Sequence, residues 1–146
     1  DMIEQWKTPD EAEAAIMGML ARKDKIMGFG HAIYRESDPR NVIIKGWSEK
    51  LAESVGDTHL YPVSVRCESV MWREKKLFCN ADFFHASTYN FMGIPTKLFT
   101  PIFVMSRLTG WAAHVMEQRQ NNRIIRPSAD YTGPETSQWV DIAERG

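Results

Sequence analysis

One histidine, one carboxylate and three arginines stand out in this sequence as groups placed to do chemistry: His31, Asp82, Arg40, Arg107 and Arg126. His31 closes the stretch Gly28-Phe29-Gly30-His31, and Arg40 follows shortly after in Asp38-Pro39-Arg40. Glycines let a ligand come close to the backbone because no Cβ intervenes. An imidazole at such a turn can give or take a proton near neutral pH, and a guanidinium can grip a carboxylate through two parallel hydrogen bonds. Gly-x-Gly turns are common, so this local pattern draws its weight from the rest of the chain. Arg40 falls in the first turn of a helix, beside backbone N–H groups that attract anions. It reads either as a solvated surface group or as a ligand contact.

Arg107 lies in the most apolar segment, and Arg126 is flanked by Ile124, Ile125 and Pro127. Both are expected to be buried, where an arginine needs an ion pair within the protein or an anionic ligand. Asp82 precedes Phe83-Phe84. A carboxylate desolvated by two aromatics has a raised pKa and makes a better base; the rival reading is a plain helix N-cap. His85 is free to face solvent, His59 sits in a polar turn, and His114 reads as a hydrogen-bonded core histidine. Cys67 and Cys79 fit no C-x-x-C or zinc spacing and read as reduced thiols of a cytosolic protein. Neither a Ser-His-Asp or Cys-His arrangement nor a metal-ligand spacing can be argued. The set suits a small polycarboxylate ligand and proton transfer at carbon.

These groups need elements to hold them. Thr8-Pro9-Asp10-Glu11 is a helix start with a capping box, and Ala12, Ile16, Met19 and Leu20 share one face of a helix over 9–22. Asp38-Pro39 opens a second helix with Ile43, Ile44, Trp47 and Leu51 expected inward and Gly56 near its end. A third is expected from Pro62 to Lys76 with Val63, Cys67, Val70 and Met71 inward, its Lys75-Lys76 end favoured by the helix dipole. A fourth starts at Asn80-Ala81-Asp82 and stops by Gly93 and Pro95; a fifth, capped by Thr100-Pro101, runs to Gln118 and is expected to be buried. From Asn121 the chain reads as extended, with at most a short β element near 122–126. The fold class is all-α.

With 146 residues, 43% hydrophobic and 25% charged, the chain is the size of one ordinary folded domain. A net charge of −1 argues against non-specific nucleic-acid or anionic-membrane binding. Uncharged apolar runs fall short of the 18 or so residues of a membrane span, and the start Asp1-Met2-Ile3-Glu4 is unlike a signal peptide.

Several motifs in order, Gly28-Phe29-Gly30-His31, Asp38-Pro39-Arg40, Asn80-Ala81-Asp82-Phe83, Gly93-Ile94-Pro95, Phe99-Thr100-Pro101 and Gly110-Trp111-Ala112-Ala113-His114, resemble the C-terminal part of the citrate synthase family. The run from Glu117 to Pro134 looks most like its 2-methylcitrate synthase branch. The resemblance implies condensation of an acyl-CoA with oxaloacetate, then thioester hydrolysis, with coenzyme A a substrate and no other cofactor. It makes Asp82 the base at the thioester α-carbon and His31 the proton donor to the oxaloacetate carbonyl. Arg40, Arg107 and Arg126 would bind the carboxylates, Arg126 by reaching into a partner subunit of a homodimer. Gly28, Phe29 and Gly30 would meet the CoA adenine through their backbone, with Arg35, Lys75, Lys76 and Asn80 as further CoA contacts.

The family's other catalytic histidine, in a His-Gly-Gly segment, is absent from this sequence. The resemblance therefore implies a C-terminal piece, inactive alone: a small mobile domain over 1–87, then large-domain helices and tail over 88–146. A cytoplasmic enzyme is expected. The alternatives are a citrate synthase using acetyl-CoA, a non-catalytic helical module binding CoA or a dicarboxylate, and a bland helical interaction domain.

Overall fold

The computed structural model describes residues 2–135 and 138–145, and the described residues are helical without a β-strand. Five α-helices follow in order: α1 Pro9–Arg22, α2 Pro39–Val55, α3 Leu60–Lys75, α4 Ala81–Phe91 and α5 Phe99–Gln120. Residues up to Leu108 form one compact unit and those from Thr109 a second. That break concerns packing alone; the domain boundary expected near residue 87 is a statement about movement in a whole enzyme.

In the first unit α1 packs on α3, and α2 packs chiefly on α4. The start of α1 is set by Thr8, whose Oγ1 accepts from the Glu11 N–H at 3.2 Å, with Pro9 at the first helical position. The Glu11 carboxylate reaches back one residue further than a standard capping box and accepts from the Lys7 N–H at 2.8 Å. α2 begins with Asp38 as N-cap and ends at Gly56 in the left-handed region, φ 68°. The core joins Ile16 of α1, Val63, Cys67, Val70 and Met71 of α3, and Phe83 and Phe84 of α4. Phe84, Ile16, Val63, Val70 and Cys67 are fully buried.

α2 meets its expected inward face only in part. Asn41, Ser48 and Ala52 are its buried residues, while Ile43 and Trp47 are 63% and 55% exposed. Close approach of two helix backbones favours small side chains at the contact. Here the Ser48 and Ser87 hydroxyls meet at 2.7 Å in the buried seam between α2 and α4. Of the apolar residues expected inward, Ile43 and Trp47 are left outside, whereas Ile44 packs against the core and Leu51 is half-buried.

α5 also departs from expectation. It starts at Phe99, directly after the short turn Thr96–Leu98, so Pro101 is its third residue, where a missing N–H costs little. Leu108, Trp111, Val115 and Met116 are exposed rather than buried. Among the described residues no helix is long and apolar enough to cross a membrane. The described residues after Asn121 are irregular apart from a single 3-10 turn at Ile142–Glu144, and the short β element allowed near 122–126 does not form.

Candidate active site

Residues 28–30 are built into the fold by pairing with residues 78–80. The Gly30 N–H donates to Phe78 O at 2.8 Å and the Asn80 N–H to Gly28 O at 3.0 Å, making one antiparallel bridge between Phe29 and Cys79. In a bridge flanked by its bonds in this way, the central residue's own N–H and C=O point to the opposite edge. The backbone of Phe29 is thus presented outward, while its ring packs on Phe83 with centroids 4.7 Å apart. Gly28 holds φ 90°, and a Cβ there would come within 2.7 Å of Phe83 Cδ2. Gly28→Ala combines left-handed strain with an overpacked contact and is expected to lower unfolding stability by about 2–3 kcal/mol, measured by urea titration.

His31 follows immediately and its ring is oriented by the backbone. The N–H groups of Ile33 and Tyr34 donate to Nδ1 at 3.0 and 3.2 Å. A neutral ring accepting at Nδ1 carries its proton on Nε2. Nε2 lies 3.4 Å from Arg40 Nη2. The two groups are within hydrogen-bond reach, so the imidazole and the guanidinium adjoin at one edge of the turn.

Asp38 fixes Arg40. Its carboxylate is 1% exposed and accepts from Arg40 Nε at 2.9 Å and Nη2 at 2.7 Å, and from the Arg40 backbone N–H at 3.1 Å. The same group accepts from the Ala81 N–H at 3.0 Å, the first residue of α4. These donors, led by the Arg40 side chain, hold the Asp38 carboxyl at a pKa of about 2, against an ordinary value of 3.8. Two of the five guanidinium N–H groups bind Asp38, which leaves the outer edge of Arg40 for an anion. The sequence marked Asp38 only as a helix cap. Its second duty, tying the start of α2 to the start of α4, has no local sequence signal.

Asp82 is the next residue along α4. It is exposed, not desolvated, because Phe83 and Phe84 turn into the core on the other side of the helix. It is not the cap either: Asn80 caps α4, its Oδ1 accepting from the Asp82 N–H at 3.1 Å and its Nδ2 donating to Gly30 O at 3.0 Å. Asp82 is close enough to Arg40 for its charge to favour the charged guanidinium. It lines a cleft of about 300 Å³ with His85, Ala86, Tyr89, Phe99, Thr100 and Phe103. His85 is half-buried and lies against Tyr89, ring centroids 5.3 Å apart.

Arg107 is exposed rather than buried, and its guanidinium stacks on the Phe103 ring at 4.2 Å. Phe103 connects it to the cleft. Arg126, in the second compact unit, is likewise exposed. Both corrections have one cause: their apolar sequence neighbours are themselves exposed. His114 is 82% exposed at its side chain, with Nδ1 3.8 Å from Glu117, and is not a core residue. His59 is more than a turn residue, since its Nε2 contacts the Trp6 carbonyl. Arg35, Lys75 and Lys76 are exposed, Lys76 with its ammonium 5.7 Å from the Trp72 ring centroid. Cys67 and Cys79 are free and buried; burial pushes the Cys67 thiol up to about 12 and raises Cys79 as well, leaving neither reactive at neutral pH.

The sequence pattern of the citrate synthase C-terminal domain matches residues 1–128. The chain belongs to the citrate synthase family. It is 68% identical over 145 residues to the 2-methylcitrate synthase of Shewanella oneidensis, covering 99% of this chain and 39% of that protein. It is 48% identical over 136 residues to citrate synthase 2 of Bacillus subtilis, covering 93% and 37%. Among solved citrate synthases, the Thermoplasma acidophilum enzyme in ternary complex with carboxymethyl coenzyme A and oxaloacetate superposes with a TM-score of 0.85 at 34% identity, over 98% of this chain and 40% of that one. The Thermotoga maritima citrate synthase gives 0.82 at 33%, over 99% and 40%. The all-α citrate synthase-like fold is thereby established, and the chain spans about two fifths of the length of these relatives.

Proposed function

We propose that the whole protein condenses propionyl-CoA with oxaloacetate to give 2-methylcitrate and CoA, in propionate catabolism. The observation that carries this is the contact of His31 Nε2 with Arg40 at 3.4 Å, the arginine being held by Asp38, which also binds the backbone next to Asp82. Asp82 takes a proton from the thioester α-carbon, and the resulting enolate carbon attacks the oxaloacetate ketone. The new alkoxide receives the His31 Nε2 proton, and water then cleaves the thioester, releasing CoA. Donors fixed where negative charge develops lower the barrier because they need no reorganisation during the reaction.

Arg40 and Arg107 supply cations for the two oxaloacetate carboxylates, and Arg126 acts in the partner's site of a homodimer. The outward backbone of Phe29, between Gly28 and Gly30, offers a donor and an acceptor to adenine, with Arg35, Lys75 and Lys76 near the CoA phosphates. Asn80 has one amide hydrogen left for the same ligand. Residues 1–87 act as the mobile small domain and 88–146 as part of the large domain. The protein works in the cytoplasm, in keeping with two unpaired cysteines.

The identity to enzymes named citrate synthase keeps acetyl-CoA as the second reading. The test is thiol release by the full-length enzyme with oxaloacetate and each thioester. A higher kcat/KM for propionyl-CoA is expected, and a tenfold preference for acetyl-CoA reverses the assignment. The isolated 146-residue chain is expected to be inactive. Turnover by it at the full-length rate refutes the need for a second histidine.

A further inference from the structure

The cleft beside Asp82 has a shape that bears on which thioester fits. Asp82, His85, Ala86 and Tyr89 lie along one face of α4, at the spacings that bring helical side chains together. Beyond the carboxylate the lining is chiefly apolar, Ala86, Tyr89, Phe99 and Phe103, with His85 and Thr100 as its polar members. Tyr89 meets the Phe99 ring edge-on, with centroids 5.2 Å apart, and also lies against the tilted His85 ring. It is a stiff wall. Ala86, one turn from the base, contributes only a methyl group, so the volume between Asp82 and Tyr89 stays open.

A thioester whose α-proton faces Asp82 must place any substituent on that carbon within a few ångströms of the same carboxylate. Resting on the condensing function above, we infer that Ala86 and Tyr89 set the acyl-chain length, Ala86 by leaving room beside the base and Tyr89 by closing the far end. One methylene gained or lost in an apolar pocket changes discrimination by roughly 10–200-fold.

The experiment measures kcat/KM of the full-length enzyme for acetyl-, propionyl- and butyryl-CoA in the wild type, Ala86→Leu and Tyr89→Ala, with circular dichroism as the fold check. Ala86→Leu is expected to lower the propionyl-to-acetyl ratio at least tenfold. Tyr89→Ala is expected to raise the butyryl-to-propionyl ratio at least tenfold. If Ala86→Leu does not fold, the Tyr89→Ala ratio decides. Ratios that move less than tenfold in the folded variants overturn the inference and leave the condensing function standing. A wild type that releases thiol from none of the three thioesters refutes that function instead.

Discussion

Asp82→Asn in the full-length enzyme is expected to lower kcat by roughly 10²- to 10⁴-fold, the usual range for removing a positioned general base. Asparagine keeps the size of the side chain and removes its ability to take a proton. Asp82 is exposed, and only its backbone N–H is engaged by the Asn80 cap, so the fold has little to lose. Stability should fall by no more than about 0.5–1 kcal/mol, the loss of one acidic group from the first turn of a helix. Oxaloacetate binding, which depends on other residues, should stay within about threefold, as for a group acting at the reacting carbon only. Thiol release together with α-proton exchange of the thioester measures the effect. Exchange within tenfold of wild type would assign the base to another residue.

The second large effect is expected at Asp38, which touches no substrate in this scheme. Asp38→Asn weakens both bonds that aim Arg40 and replaces an acceptor for the Ala81 N–H with an amide that can present only one oxygen. A misplacement of about 1 Å at a site can cost roughly 10²-fold in rate, and a loss of that order is expected in kcat/KM for oxaloacetate. Stability responds with a characteristic pH dependence. The folded carboxyl has its pKa lowered from 3.8 to about 2. Its contribution of about 2 kcal/mol is therefore fully present above pH 4 and is lost as the pH falls through 2. The difference in unfolding free energy between wild type and Asp38→Asn should accordingly shrink between pH 4 and pH 2. A difference independent of pH would show that the charge of Asp38 is not what binds the two helices.

What could be read from sequence follows from how local each cause is. The α1 start lies wholly within Thr8 to Glu11, and the inward face of α3 repeats at the helical period, so both are written in the residues themselves. The spacing from His31 to Arg40 likewise survives folding, because one short loop sets it. The inward face of α2 is decided by how closely α4 approaches, a fact carried by Ser87, far along the chain. The apolar neighbours of Arg107 suggest burial, but Val104, Met105 and Leu108 are themselves 41%, 71% and 60% exposed. Asp38 was read as a cap, which it is; its hold on α4 is a contact across 43 positions that no spacing rule reaches.

The loop between His31 and Asp38 is exposed throughout, yet both ends are pinned. The Phe29–Cys79 bridge and the bonds to His31 Nδ1 fix one end, and the Asp38 carboxylate fixes the other. Length can therefore vary between Arg35 and Ser37 at little cost, since a slightly longer surface loop adds only a small closure entropy. A residue gained between Gly28 and His31 instead shifts the bridge by one step and turns Phe29 to the opposite face. Relatives of this chain should thus tolerate insertions on the solvent side of the loop and almost none on its glycine side.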